Sequence, residues 1–113
     1  MVSFDTVRKL ALSFPEAEEQ PHFEKASFRV KKKIFATLSK KDNRCVVKLS
    51  MIDQSIFTAS NNEIIYPVKG AWGKQGWTII ELKKVRKDLF VDVLTTSYCE
   101  GAPEKLSRLV RPD

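Results

Sequence analysis

Two short clusters carry residue types and spacings suited to holding a polyanion. One is Lys31, Lys32 and Lys33; the other is Lys69, Trp72 and Lys74. Lysine ammonium groups neutralise phosphates, and such contacts position a protein without reading sequence. Trp72 lies between Gly70 and Gly73. It either stacks on a base, as aromatics do in single-strand binders, or folds back to close the end of a sheet. If five lysines each release a counterion from duplex DNA, log affinity falls against log salt with a slope of roughly −4 to −5. The surrounding charge agrees in sign. Residues 25–48 hold nine basic side chains and one acid, and residues 69–87 hold six and one, within a total of +6. Residues 16–24 run the other way, with Glu16, Glu18, Glu19 and Glu24. This asymmetry suits a polyanion-facing surface. Lysine-rich turns also keep sheet edges from aggregating, so charge alone leaves both roles open.

Other chemistry finds less support. Gly70, Gly73 and Gly76 are spaced like a phosphate cradle, but nucleotide loops feed a helix and this one feeds a strand. His22, the only histidine, has no Cys or Ser beside it to activate. The four glutamates between 16 and 24 read as a solvated acidic loop, because a hard cation needs several converging oxygens. Cys45 and Cys99 are expected to be free thiols packed as small hydrophobes. No zinc, redox, nucleophile-elbow or phosphate-loop motif occurs. The expectation is therefore a non-enzyme with no cofactor and no metal. No apolar run is long enough to span a bilayer, and charges interrupt the N-terminus, so a cytoplasmic protein is expected.

The elements that must position the two clusters follow from periodicity. Ser3 caps a helix whose apolar face is Phe4, Val7, Ala11 and Phe14, stopped by Pro15. Three strands follow as an antiparallel meander: Ala26–Lys31, Ile34–Ser39 and Cys45–Ser50, each alternating with period two. A second helix is predicted over Ile52–Ser60, with Ile52, Ile56 and Ala59 inward. Glu63–Val68 and Trp77–Leu82 are the fourth and fifth strands, and Pro67 places the fourth at an edge. Trp77 is expected to pack over the core. A long helix covers about 85–99, and a last short helix follows Pro103. The fold class is α+β: one domain of two layers, a five-stranded antiparallel sheet with helices on one face, in the order α-β3-α-β2-α-α. Strand directions then put the turn Lys31–Lys33 and the loop Lys69–Gly76 at the same end of the sheet.

Several stretches resemble the MmcQ/YjbR family. They are Leu12-Ser13-Phe14-Pro15 with the acidic run after it, and Phe28-Arg29-Val30 leading through lysines into Ile34-Phe35-Ala36. The most specific is Tyr66-Pro67-Val68 through Gly70-Ala71-Trp72-Gly73-Lys74 to Gly76-Trp77-Thr78. The resemblance runs to about residue 105. It implies a five-stranded antiparallel sheet with helices on one side, like the secretion-chaperone-like and frataxin-like proteins, and a DNA-binding "double-wing" function. It brings no catalytic motif. The function expected is binding of DNA or another polyanion through the two basic hairpin tips. The alternative is a chaperone-like module that binds a protein or peptide on its sheet face or Trp72 loop. Phe35, placed by alternation on the polar face beside Thr37 and Ser39, is the residue that bears on this choice, since an exposed aromatic there marks a partner surface.

Overall fold

A computed structural model describes residues 1–59 and 61–111. The chain runs α1 (Phe4–Ser13), β1 (Ala17–His22), β2 (Lys25–Val30), β3 (Lys33–Ser39), β4 (Arg44–Lys48), α2 (Met51–Ala59), β5 (Ile65–Pro67), α3 (Ala71–Lys74), β6 (Trp77–Glu81), α4 (Lys87–Gly101) and α5 (Glu104–Val110). The predicted helix end at Ser60 lies outside the described residues. Local chemistry sets the helix starts and stops. The Ser3 hydroxyl accepts the Thr6 N–H at 3.2 Å, with Asp5 in the first turn, and α1 stops before Pro15.

Six strands form one antiparallel sheet in the order β1-β2-β3-β4-β6-β5. The α+β class holds, and the predicted five strands become six. The addition is β1, which the sequence presented as an acidic loop. It pairs with β2 along its whole length, from Ala17↔Val30 to His22↔Lys25. An edge strand tolerates Pro21, whose missing N–H leaves no ladder bond broken on the outer side. Its acids are partly matched: Arg8 meets Glu19 at 3.0 Å and Lys31 meets Glu16 at 2.7 Å.

Helices α1, α2 and α4 cover one face of the sheet, over a core that includes Val7, Phe28, Leu38, Ile80, Phe90 and Leu94. Helix α5 packs on α4, and α3 is a single turn within the loop between β5 and β6. Phe14 stacks on Tyr98 with ring centres 4.7 Å apart, and the Tyr98 hydroxyl donates to the Pro15 carbonyl at 2.6 Å.

Two expected orientations are corrected. Phe35 is fully buried, edge-on to Phe14 and Tyr98, and offers no partner surface. A β-bulge explains this. Phe28 pairs with Ala36 but Arg29 pairs with Ile34, so Phe35 is the extra residue and turns into the core. Ile34 is thereby placed on the opposite, uncovered face.

Helix α2 is rotated from its expected setting. Ile52 and Ile56 are 75% and 63% exposed, and Ala59 is exposed as well. Gln54 points inward instead. Its amide lies 3.0 Å from the Gly73 carbonyl, 3.3 Å from the Trp77 carbonyl and 3.1 Å from the Thr78 hydroxyl. Buried acceptors left unpaired cost about 1–3 kcal/mol each, so these bonds decide which side of a short helix faces in.

The β2–β3 turn is strained. Lys31 and Lys32 have φ of +50° and +69°, as in the hairpin turns that normally carry Asn-Gly. Lysine pays for the left-handed region with a Cβ–carbonyl clash. Lys31→Asn with Lys32→Gly should stabilise the fold by about 1 kcal/mol or more, since the lost Lys31–Glu16 pair is exposed and worth little. A denaturant titration checks this.

Candidate nucleic-acid interface

Residues paired across antiparallel strands share a face of the sheet. The open face, opposite the helices, can therefore be read from the register. Its upper row, at the end carrying the two tips, holds Glu18, Arg29, Ile34, Lys48, Trp77 and Val68. Its middle row holds Ser27, Thr37, Val46, Ile79 and Tyr66. Its lower row holds Lys25, Ser39, Arg44 and Glu81.

The predicted site residues fall on this frame as follows. Lys31, Lys32 and Lys33 form the β2–β3 tip and are all exposed; Lys31 is engaged by Glu16. Lys69, Trp72 and Lys74 belong to the β5–β6 loop, also exposed, with Trp72 at 62%. The tips share an end of the sheet but are not neighbours. By strand order about three inter-strand spacings, about 14 Å, separate them. Lys48, on β4, occupies the open face in that interval, and Arg29 lies on the same face of β2, at the base of the first tip. Lys48 thus links the two clusters, Arg29 extends the first, and Glu18 is the acid on the upper row. Arg29 is steadied by its Nε–H donating to the Ser27 hydroxyl at 3.1 Å. Neither residue was singled out from sequence, although each sits in the phase of its strand opposite to the core residues.

The Trp72 loop is held rigidly. Gly70 and Gly76 have φ of +77° and +105°. A Cβ on Gly73 would stand 1.9 Å from the Val68 carbonyl oxygen, and one on Gly76 1.9 Å from that of Leu49. Leu49 N–H donates to the Gly76 carbonyl at 2.9 Å, and Gln54 secures Gly73 from α2. Trp72 is thus presented to solvent by a fixed scaffold. Trp77 does not cap the core. Its pairing with Lys48 places it on the open face, half-buried.

Below the band the open face is a trough of about 450 Å³. Trp72, Trp77 and Val68 wall its upper end, and Ile34, Val46 and Ile79 floor it. Thr37 lies midway, and His22, Lys25, Ser39, Asp42 and Arg44 surround the lower end. Glu81 accepts from Arg44 Nε at 3.0 Å and from the Tyr66 hydroxyl. Glu81 beside it holds the Arg44 guanidinium above its ordinary range. Burial, and then the bond to Glu81, raise the Tyr66 phenol.

No group of three or more His, Cys, Asp or Glu suited to a metal occurs among the described residues, and no helix there is long and apolar enough to cross a membrane. Cys45 and Cys99 are free, one buried and one half-buried. Burial pushes the Cys45 thiol from an ordinary 9.0 up to about 12. The unfolded chain ionises first, so the stability from keeping this thiol neutral is full below pH 9.0 and is lost as pH rises to about 12. Tyr66, Tyr98 and Cys99 are also raised by burial and act in the same direction. Unfolding midpoints should fall across that alkaline range, and less steeply in Cys45→Ala.

The family model of YjbR matches residues 12–100. None of the curated proteins matches this chain. Among solved structures, the crystal structure of Deinococcus radiodurans protein DR2400, which carries a DUF419 domain, is similar with a TM-score of 0.77. It is 21% identical, over 88% of this chain and 78% of that one, a likeness that shows the fold.

Proposed function

The chain belongs to the YjbR family, and we propose that it binds nucleic acid through the band formed by Lys32, Lys33, Arg29, Lys48, Lys74 and Lys69, with Trp72 as its stacking platform. The observation that carries this reading is the register, which sets Lys48 on the open face between the two lysine tips, with Arg29 on that face beside the first. A continuous row of cations follows a phosphate backbone. An exposed tryptophan on a rigid loop offers a sequence-tolerant face for a base. No catalytic step belongs to this reading.

Fluorescence anisotropy of a labelled oligonucleotide tests it. Six cations on a single strand give a slope of log affinity against log salt of roughly −4, and Trp72→Ala should weaken binding about tenfold. Absence of binding at low salt would reject the proposal. The second reading is a module for a protein or peptide. The observation in its favour is the apolar strip of Met51, Ile52 and Ile56 exposed on α2. It predicts an oligonucleotide-indifferent protein whose partner is released by changes on α2 instead of the band.

A further inference from the structure

The open face is divided in its charge. At the upper end the register sets Arg29 and Lys48 on the same face as Glu18, the tips add Lys32, Lys69 and Lys74, and Lys31 is matched by Glu16. In the lower part of the trough Lys25 and Arg44 are balanced by Asp42 and Glu81, while Lys40, Lys41, Lys83 and Lys84 lie at the same end of the sheet outside the lining. What the trough provides below its apolar floor is polar and charge-balanced: the Asp42 carboxylate as acceptor and the remaining guanidinium N–H groups of Arg44 as donors, with the Thr37 hydroxyl above them. Arg44 is oriented by its Nε–H bond to Glu81, which leaves those groups unspent on Glu81. Between the two ends lies the apolar floor of Ile34, Val46 and Ile79, walled by Trp72 and Trp77.

We infer that the trough receives an unstacked base, and that the protein therefore selects single-stranded over duplex nucleic acid. This rests on the nucleic-acid reading and adds the strand state and the seat of the base. The backbone runs along the basic band. A base turned downward from it meets Trp72 and Trp77, lies over the aliphatic floor, and brings its polar edge to Thr37, Asp42 and Arg44. The dimensions agree. The trough runs about 13 Å along the strands from the row of Trp77 to that of Glu81, a span that a nucleoside fits. Its volume of about 450 Å³ is that of a small-ligand site. A base inside a duplex shows only its edges in the grooves and keeps its faces stacked, so it cannot lie on this floor without being flipped, which costs a few kcal/mol.

The test compares a fluorescein-labelled deoxythymidine 12-mer with a 12-base-pair duplex on three proteins: wild type, Val46→Trp, which fills the trough, and the band variant Arg29→Gln/Lys48→Gln. Wild type should bind the single strand more tightly. Val46→Trp should lose roughly tenfold on the single strand and little on the duplex, while the band variant should weaken both. If Val46→Trp fails to fold, Thr37→Phe blocks the same floor from a half-exposed strand position. Equal single-strand affinity in wild type and a folded plugged variant would overturn the inference and leave the nucleic-acid reading standing. A wild-type preference for duplex would do the same. No binding of either oligonucleotide at low salt would overturn both.

Discussion

Gly76→Ala is expected to destabilise the protein by at least about 3 kcal/mol. Two separate penalties combine. The residue sits at φ +105°, outside the range that a Cβ tolerates. Its Cβ would also stand 1.9 Å from the Leu49 carbonyl oxygen, a backbone atom that is tied into the same contact by Leu49 N–H donating to Gly76. The chain cannot relieve the clash without separating the end of β4 from the start of β6. Against a typical total of 5–15 kcal/mol, that is a large share. Gly73→Ala meets the Val68 carbonyl oxygen at the same 1.9 Å and should behave alike. Gly70 has open space around it, so Gly70→Ala should carry only the conformational strain of its positive φ, about 1–2 kcal/mol. Urea unfolding of the three variants would check this order. A Gly76→Ala protein as stable as Gly70→Ala would mean that the loop does not make the close approaches described.

Reversing Lys33, Lys48, Lys69 and Lys74 together to glutamate should abolish nucleic-acid binding, with a loss of at least about 10³-fold at low salt. Each change removes an attractive charge and installs a repulsive one along a single band, so the effects reinforce one another. All four side chains lie on the surface, and Lys48 is the most covered of them. The fold should survive, because surface charges of this kind contribute little to stability. A parallel unfolding curve separates lost binding from lost structure. Reversing Lys40, Lys41, Lys83 and Lys84, which belong to the other end of the sheet, supplies the control and should leave most of the affinity in place.

Much of the architecture is legible because its periodicity is strong. The α1 face of Val7 and Ala11, the meander from β2 to β4, and the α4 stripe of Phe90, Leu94 and Tyr98 all repeat clearly enough to survive tertiary context. The failures have identifiable causes. Strand β1 has Glu, Gln and Pro where β-formers are expected, and pairing with β2 overrides that weak propensity. The run Ile34-Phe35-Ala36 is apolar throughout, so alternation cannot show where the bulge falls. In α2 the single buried polar residue, Gln54, outweighs the apolar pattern because its hydrogen-bonding partners are remote in sequence. The candidate site was half visible for a similar reason. Two lysine tips stand out as clusters, whereas Arg29 and Lys48 look like ordinary outward strand residues until the register sets them on one face.

The two tips are proposed to act as one surface, with Lys48 between them and Arg29 beside the first. The most direct test is the salt dependence of single-stranded oligonucleotide binding in wild type and in Arg29→Gln/Lys48→Gln. A continuous band predicts that the slope of log affinity against log salt moves from roughly −4 to roughly −3, since two phosphate contacts are lost. An unchanged slope in a folded variant would show that Arg29 and Lys48 do not touch the nucleic acid, and would contradict a surface joined through them.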